Sequence, residues 1–255
     1  MTSPLDASIC VRFALTLCFV LCPAAGVQQD ELQSQPAELT LEQRGDLFMA
    51  KKMFREAAEA YTQAIPGARD YILYNKAGIA YHQMQNFRAA KKNYEKSLKL
   101  NPDYSEARNN LGTLYYAQKN YRGAIREYNR ALKLNPNSAT YYGNLGTAYF
   151  ARKDYATATK AYQQALALDP EVFESRGSGG TVIQERSVEE RAKYHYYLAK
   201  IYAEAGVADR ALDCIRKSLE EGFKDRKKYL EEPAFAKLRE LPEFHDLMKL
   251  EPRVL

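Results

Sequence analysis

The sequence predicts an all-α protein, an α-solenoid of about five stacked helix–turn–helix units closed by a helical C-terminal cap. Three observations predict it. The same residues return every 34 positions: Gly78, Gly112 and Gly146; Tyr81, Tyr115 and Tyr149; Ala90, Ala124 and Ala158; Tyr94, Tyr128 and Tyr162; Pro102, Pro136 and Pro170. A fixed period of this size is the signature of a stacked array. Within one period, residues 105–138, apolar positions follow helical spacing twice: Leu111, Gly112 and Tyr115, then, after Asn120-Tyr121, Ala124, Ile125, Tyr128, Ala131 and Leu132. Lastly, Asn101-Pro102, Asn135-Pro136 and Asp169-Pro170 close the units, because proline disfavours helical geometry in the residue before it.

Taken in chain order, residues 1–26 read as a secretory signal peptide. Arg12 precedes the apolar run Phe13–Cys22, and Pro23-Ala-Ala-Gly26 supplies small residues at a cleavage site after Ala25 or Gly26. The run is too short to span a bilayer, which takes about 20 apolar residues. Leu17 and Leu21 stand before Cys18 and Cys22 where a lipoprotein signal needs a small residue, which argues against lipid anchoring. Cleavage removes Cys10, Cys18 and Cys22 and leaves Cys214, which alone closes no disulfide. Residues 27–37 form a polar linker. Asp6 and Arg12 cancel, so the mature chain keeps the formal charge of +5, from 37 basic and 32 acidic residues interspersed along the chain. Together with a 46% hydrophobic fraction, that fits a packed protein with a solvated, ion-paired surface.

The array spans 38–224. Its first unit, 38–70, opens on the capping-box pattern Thr40-Leu-Glu-Gln43, carries Gly45, Phe48, Ala57, Tyr61 and Ala64, and is interrupted near its end by Pro66. Unit 71–104 has Ala77 and Ser97 in place of the leucine and the last alanine. Units 105–138 and 139–172 carry the pattern in full. A fifth, 192–224, carries Leu198, Ala199, Tyr202, Ala211, Ile215 and Ser218, with Gly222-Phe223 in place of the proline turn. Glycine inside a helix costs about 1 kcal/mol relative to alanine; its recurrence predicts a close approach of the two helices, with tyrosines filling the space beside it. Residues 173–191 are an insertion, read as a loop around Arg176-Gly-Ser-Gly-Gly180, with a small hairpin at Thr181–Gln184 left open. Residues 225–255 are read as short helices that bury Tyr229, Leu230, Phe235, Leu238, Phe244 and Leu247 on the last unit, since terminal repeats need a cap.

On these residues the chain resembles the tetratricopeptide repeat family: Leu-Gly-x-x-Tyr, then alanine, an aromatic, alanine and a closing proline. Its tail, with leucine, arginine, proline and phenylalanine, is similar to that of secreted bacterial members. The resemblance implies a right-handed superhelix whose first helices line a concave face that binds protein or peptide. Carried over, the concave candidates are Asn75, Ile79 and Gln83; Asn109, Asn110, Thr113 and Tyr116; Asn144, Thr147 and Phe150. Asn110 and Asn144 each stand before Leu-Gly, and their amides, donor and acceptor at once, could hold an extended peptide backbone. The other reading is that they are repeat residues, solvated or bonded locally. Family members that grip acidic chaperone tails use concave cations; here Asn75, Thr140 and Asn144 hold those places, and that mode is not expected.

The second helices carry Lys92, Lys96 and Lys99, then Arg126, Arg130 and Lys133 one unit later, with Lys160 continuing the first row. This basic convex patch could meet an anionic surface, or it is a solvated face with Glu95 and Glu127 nearby. Nucleic acid is disfavoured by the export signal and the lack of a binding motif. No catalytic, metal or cofactor constellation is legible: His82, His195 and His245 lack partners at ligand spacing, and Cys214 reads as buried. The expectation is an exported, non-enzymatic interaction protein of the cell envelope or secreted space. A self-associating structural subunit and an accessory subunit of an enzyme stand as the alternatives.

Overall fold

The computed structural model describes residues 39–68, 70–174 and 187–250. The leader, the linker, residues 175–186 with their glycine run and possible hairpin, and Pro252 lie outside the described residues. Ten helices form five antiparallel pairs: α1 (Leu41–Ala50) with α2 (Phe54–Ala68), α3 (Tyr71–Gln83) with α4 (Phe87–Leu100), α5 (Ser105–Ala117) with α6 (Tyr121–Leu134), α7 (Ala139–Ala151) with α8 (Tyr155–Leu168), and α9 (Val188–Glu204) with α10 (Ala208–Glu220). Each second helix packs on its own partner and, in the first four pairs, on the first helix of the next pair. First helices also touch along the array, α3 on α5 and α5 on α7, whereas the second helices make no comparable contact with one another. The first helices therefore line the inner side of a curved stack. No strand occurs among the described residues.

One turn, used five times, joins the helices of each pair. Lys52, Gln85, Lys119 and Lys153 take φ of 58°, 59°, 58° and 65°, and Gly206 takes 76° at the same place in the fifth unit. A left-handed residue lets the chain reverse while the next N–H reaches back to the helix: Asn86 N donates to Tyr81 O at 2.9 Å, Asn120 N to Tyr115 O at 2.8 Å and Asp154 N to Tyr149 O at 3.0 Å. The same three side chains then cap the second helices, accepting from the backbone N–H groups of Ala89, Gly123 and Thr157. Side chains with a Cβ resist this conformation by about 1–2 kcal/mol, so four of the five turns are strained where glycine would relax them.

The recurring glycines do what their spacing suggests. A Cβ built on Gly45, Gly78, Gly112 or Gly146 would sit 2.4, 2.6, 2.7 or 2.6 Å from the ring of Tyr61, Tyr94, Tyr128 or Tyr162 on the second helix of the same unit. The backbone of one helix is in contact with an aromatic face, and a tyrosine fully inside the protein fills the gap. Unit five evens out the sizes, with Ala199 and Ile215 at the matching places, both wholly buried. Three of the ring hydroxyls bond back to the first helix: Tyr61 donates to Asp46 at 2.7 Å, Tyr128 to Thr113 at 3.2 Å, and Tyr162 lies 3.1 Å from the Thr147 hydroxyl. Ser97 and Ser218, where the third and fourth units have the buried Ala131 and Ala165, donate to the carbonyls of Tyr71 and Ala192 at 2.7 and 2.6 Å. That explains why a hydroxyl is accepted at a fully buried position.

The structure differs from expectation at several points. Helix α2 runs through Pro66 rather than stopping there. Helix α9 begins at Val188, with the Ser187 side chain capping it, ahead of the start at residue 192 taken from the repeat pattern. The insertion also begins packed: Phe173 lies edge-to-face on Tyr162 and on Tyr202, with centroids 5.4 and 6.3 Å away. After α10 come α11 (Lys227–Glu231), two 3-10 turns at Pro233–Phe235 and Leu238–Glu240, and α12 (Pro242–Lys249). Tyr229, Phe235, Leu238, Phe244 and Leu247 join the core of unit five, but Leu230 is 53% exposed, because a five-residue helix turns only one face inward. Two guanidiniums hold this cap: Arg226 donates to Met248 O at 2.9 Å and Arg239 to Glu232 O at 3.0 Å.

Two substitutions of opposite sign test this account. Gly112→Ala forces a methyl into the Tyr128 ring, and overpacking of about 1–3 kcal/mol outweighs the roughly 1 kcal/mol gained in helix propensity. Lys119→Gly relieves a left-handed lysine and should raise stability by up to about 1 kcal/mol. Urea melts of the two variants should move to lower and higher midpoints respectively.

Candidate functional site

The inner wall carries a connected chain of side-chain amides. Asn144 on α7 donates to Asn109 Oδ1 on α5 at 2.9 Å, and Asn110 on α5 donates to Asn75 Oδ1 on α3 at 3.0 Å. Asn109 and Asn110 are joined at 3.4 Å, and Asn75 reaches the Tyr104 hydroxyl at 3.5 Å, which in turn donates to Glu106 at 2.5 Å. Both inter-unit bonds link residues 35 apart, one more than the repeat. The amide on one helix reaches a neighbour whose own equivalent lies one position earlier. At the next step towards the N-terminus the same place is ionic: Lys76 Nζ lies 2.7 Å from Glu42 and 2.8 Å from Asp46 on α1.

This arrangement sorts the concave candidates. Asn75, with 3% of its surface exposed, and Asn109, Asn144, Thr147 and Phe150 are buried inside the wall, where their polar groups bond to one another or to Gly143 O and Tyr162. Asn110, Thr113, Tyr116 and Ile79 are half-buried and line its surface, and Gln83 is exposed. Asn110 and Asn144 thus differ in setting despite their equal place in the repeat. Tyr104, packed edge-to-face on Tyr71 at 4.9 Å, and Tyr116, 5.4 Å from Tyr121, add aromatic surface beside them. Sequence reasoning missed Tyr104 and the Lys76 pair with Glu42 and Asp46; the spacing of 34 between Glu42 and Lys76 was the available signal.

The wall is electrically quiet at its centre. Helix α7 has no charged residue. On α5, Arg108 donates twice to Pro102 O, at 3.2 and 2.8 Å, and lies 3.7 Å from Glu127, while Glu106 accepts from Tyr104. Towards the cap, Lys200 pairs with Glu232, which also accepts from Tyr196 at 3.0 Å. Lys200 and Tyr196 together hold the Glu232 carboxyl below its ordinary value, against the opposing effect of burial.

On the outer side, Lys92, Lys96, Lys99, Arg126, Arg130, Lys133 and Lys160 are all exposed. Their surroundings are unequal. The Glu127 carboxylate, 3% exposed, lies 3.1 Å from Arg126 Nε and 3.0 Å from Arg130 Nη1. Lys96 sits over the Tyr74 ring at 5.2 Å. The remaining titratable groups have structural settings. His195 Nδ1 is 2.7 Å from Glu221, which also pairs with Arg191 at 3.1 Å; burial holds the imidazole below its ordinary pKa, with Glu221 acting the other way. Burial lowers His82 likewise and pushes the Cys214 thiol up to about 12, which makes it a poor nucleophile. Among the described residues no three His, Cys, Asp or Glu side chains gather where they could hold a metal ion, and no helix is long and apolar enough to cross a membrane.

The tetratricopeptide repeat family model matches residues 75–139 and 110–172, from within α3 to the end of the α7/α8 unit. Two MamA crystal structures are similar: one at 22% identity, over 72% of this chain and 96% of that chain, with a TM-score of 0.48, and one at 22% over 75% and 93%, with a TM-score of 0.49. The MamA fragment 41-end from Desulfovibrio magneticus RS-1 is similar at 21% identity, over 71% and 93%, with a TM-score of 0.49. No curated protein matches the chain.

Removing a buried amide and a surface amide should have different effects. Asn144→Ala leaves Asn109 without its buried donor and should cost about 1–3 kcal/mol in a denaturant melt. Asn110→Ala also takes the donor from a buried acceptor, Asn75 Oδ1, but Asn110 is half-open, so its truncation lets water reach that oxygen and should cost less. The histidines give a pH test. His82 and His195 have folded pKa values below the unfolded value of about 6.5, so the unfolded chain binds more protons and stability falls as pH drops through that value. His195→Gln should flatten part of the fall in melting temperature between about pH 7 and pH 5.

Proposed function

We propose that this tetratricopeptide repeat protein is a non-enzymatic interaction scaffold that holds an extended segment of a partner protein along its inner wall. The observation that carries the reading is the amide-and-tyrosine surface of α3 and α5. Asn110, Thr113 and Tyr116 lie half-open beside Tyr104, with no unpaired charge among them, between the Lys76 and Lys200 ion pairs. Amides offer a donor and an acceptor to any peptide backbone, whatever its side chains. The buried asparagines behind them fix the geometry of the surface, and pre-organisation of this kind lowers the ordering cost of binding. Extended curved faces are the usual binding surfaces of repeat arrays. Without an open cation, the wall favours a neutral segment over an acidic tail.

The leader sequence supports export, to the periplasm or beyond, where a protein with one buried thiol needs no disulfide and draws its stability from packed helix pairs. The chain would then act as a scaffold in an envelope or secreted assembly. The test is photo-crosslinking of the full chain in its native compartment, with the reactive group at Gln83 or Tyr116 on the inner side, or at Gln164 on the outer side. A discrete protein adduct from the inner positions, weakened at least several-fold by Asn110→Ala with the fold intact by circular dichroism, is the expected outcome. Adducts from Gln164 alone, or capture indifferent to Asn110, would overturn the reading.

A further inference from the structure

We propose a second interaction surface, independent of the inner wall: the outer face of α4, α6 and α8 docks on a lipid surface rich in anionic headgroups. The charge of the molecule is concentrated there. Helix α4 carries five cations and Glu95, and α6 carries four cations and Glu127, a surplus of seven positive charges against +5 for the whole chain. The other second helices add little to it: α2 has one cation against two anions, α8 contributes Lys160 as its single charged residue, and the cations and anions of α10 balance. The acidic residues within the patch do little to quench it. Glu127 is buried, and its carboxylate anchors Arg126 and Arg130 in place while both stay exposed; Glu95 pairs with Lys91 across 3.7 Å. Lys92, Lys99 and Lys133 are exposed and form no ion pair among the described residues.

The second observation is apolar. Leu100, Leu134 and Leu168 end the same three helices, and are 48%, 38% and 42% exposed. At about 100° per residue, Lys92, Lys96, Lys99 and Leu100 fall within an arc of about 100° on α4, and the equivalent residues repeat that arc on α6. One face of the array thus presents a grid of cations with a row of leucines along the edge where the helices end.

The layout selects the occupant. A protein partner of ordinary kind calls for an apolar centre inside a polar rim. Here the centre is cationic and the apolar row lies at the border. A bilayer interface fits that inverse order: phosphates meet the cations while short apolar side chains reach below the headgroups. Each basic residue near an anionic surface contributes on the order of a fivefold gain in binding, and the leucines add a part that salt does not screen.

The test is flotation of the full chain with vesicles of pure phosphatidylcholine and with vesicles of equal parts phosphatidylcholine and phosphatidylglycerol. The apolar run of residues 13–22 is common to every variant, so the readout is the difference between the two lipid mixtures. The wild type should prefer the anionic vesicles, and the triple variant K92Q/K99Q/K133Q should lose that preference by on the order of a hundredfold while keeping its helical circular dichroism. L100S/L134S/L168S should keep binding at low salt and lose it at high salt. Equal binding of both mixtures by the wild type, an unaffected lysine variant, or equal binding of soluble polyglutamate with no effect of the leucines would overturn the proposal; the last result would assign the face to an acidic polymer instead. Since Gln83, Tyr116 and Asn110 are untouched, this experiment can fail while the inner-wall reading stands.

Discussion

The contact of a glycine backbone with a tyrosine ring, made four times at the same place, is the constraint on which the array depends. It sets how closely the two helices of a unit approach, and thereby where every other side chain on them points. A Cβ at the first position would part the helices, a smaller side chain at the second would let them close or leave a cavity, and either would shift the inner surface. The hydroxyls of Tyr61, Tyr128 and Tyr162 fix the rotation as well as the spacing, because each also bonds to the first helix. Packing and polar geometry are thus solved by one side chain.

The polar groups divide into those that hold the units together and those left over. Asn75, Asn109 and Asn144 belong to the first kind, bonded along the inner wall and closed to water. Asn110, Thr113 and Tyr116 stand at the surface of that network. A buried amide chain is costly unless every member is satisfied, and the continuity from Asn144 to Glu106 meets that requirement. The outer face follows the reverse rule. There one buried carboxylate, Glu127, organises two exposed arginines, and most of the charge points away from the protein.

Much of this was legible in the sequence, for a reason visible in particular residues. Whatever occurs within a unit recurs at the period, so the Gly112–Tyr128 contact, the alanines and the turns could be read by aligning the chain with itself. What crosses between units recurs as well, but its partners are offset from the period: the bond from Asn110 to Asn75 returns 34 residues on as the bond from Asn144 to Asn109. Both bonds span 35 residues, and an alignment at 34 pairs each asparagine with the wrong neighbour. For the same reason Asn110 and Asn144 looked equivalent, although one lines a surface and the other is enclosed. Burial also depends on a third element that no repeat contains. Phe173 is packed because Tyr162 and Tyr202 lie beside it, and Leu230 is open because Tyr229 takes the inward place on a helix of five residues.

The close ring-on-backbone contacts lie inside single units, whereas the amide chain and the Lys76 pair bridge neighbouring ones. Bricks of this kind are stiff; their joints are apolar within, where Leu73, Leu111 and Leu145 pack on the preceding unit, and polar along the inner edge. The inner edge can exchange a bond for water without melting a brick, so an array so built should yield first by changing its pitch. It can flex around a guest like a spring while each coil keeps its shape.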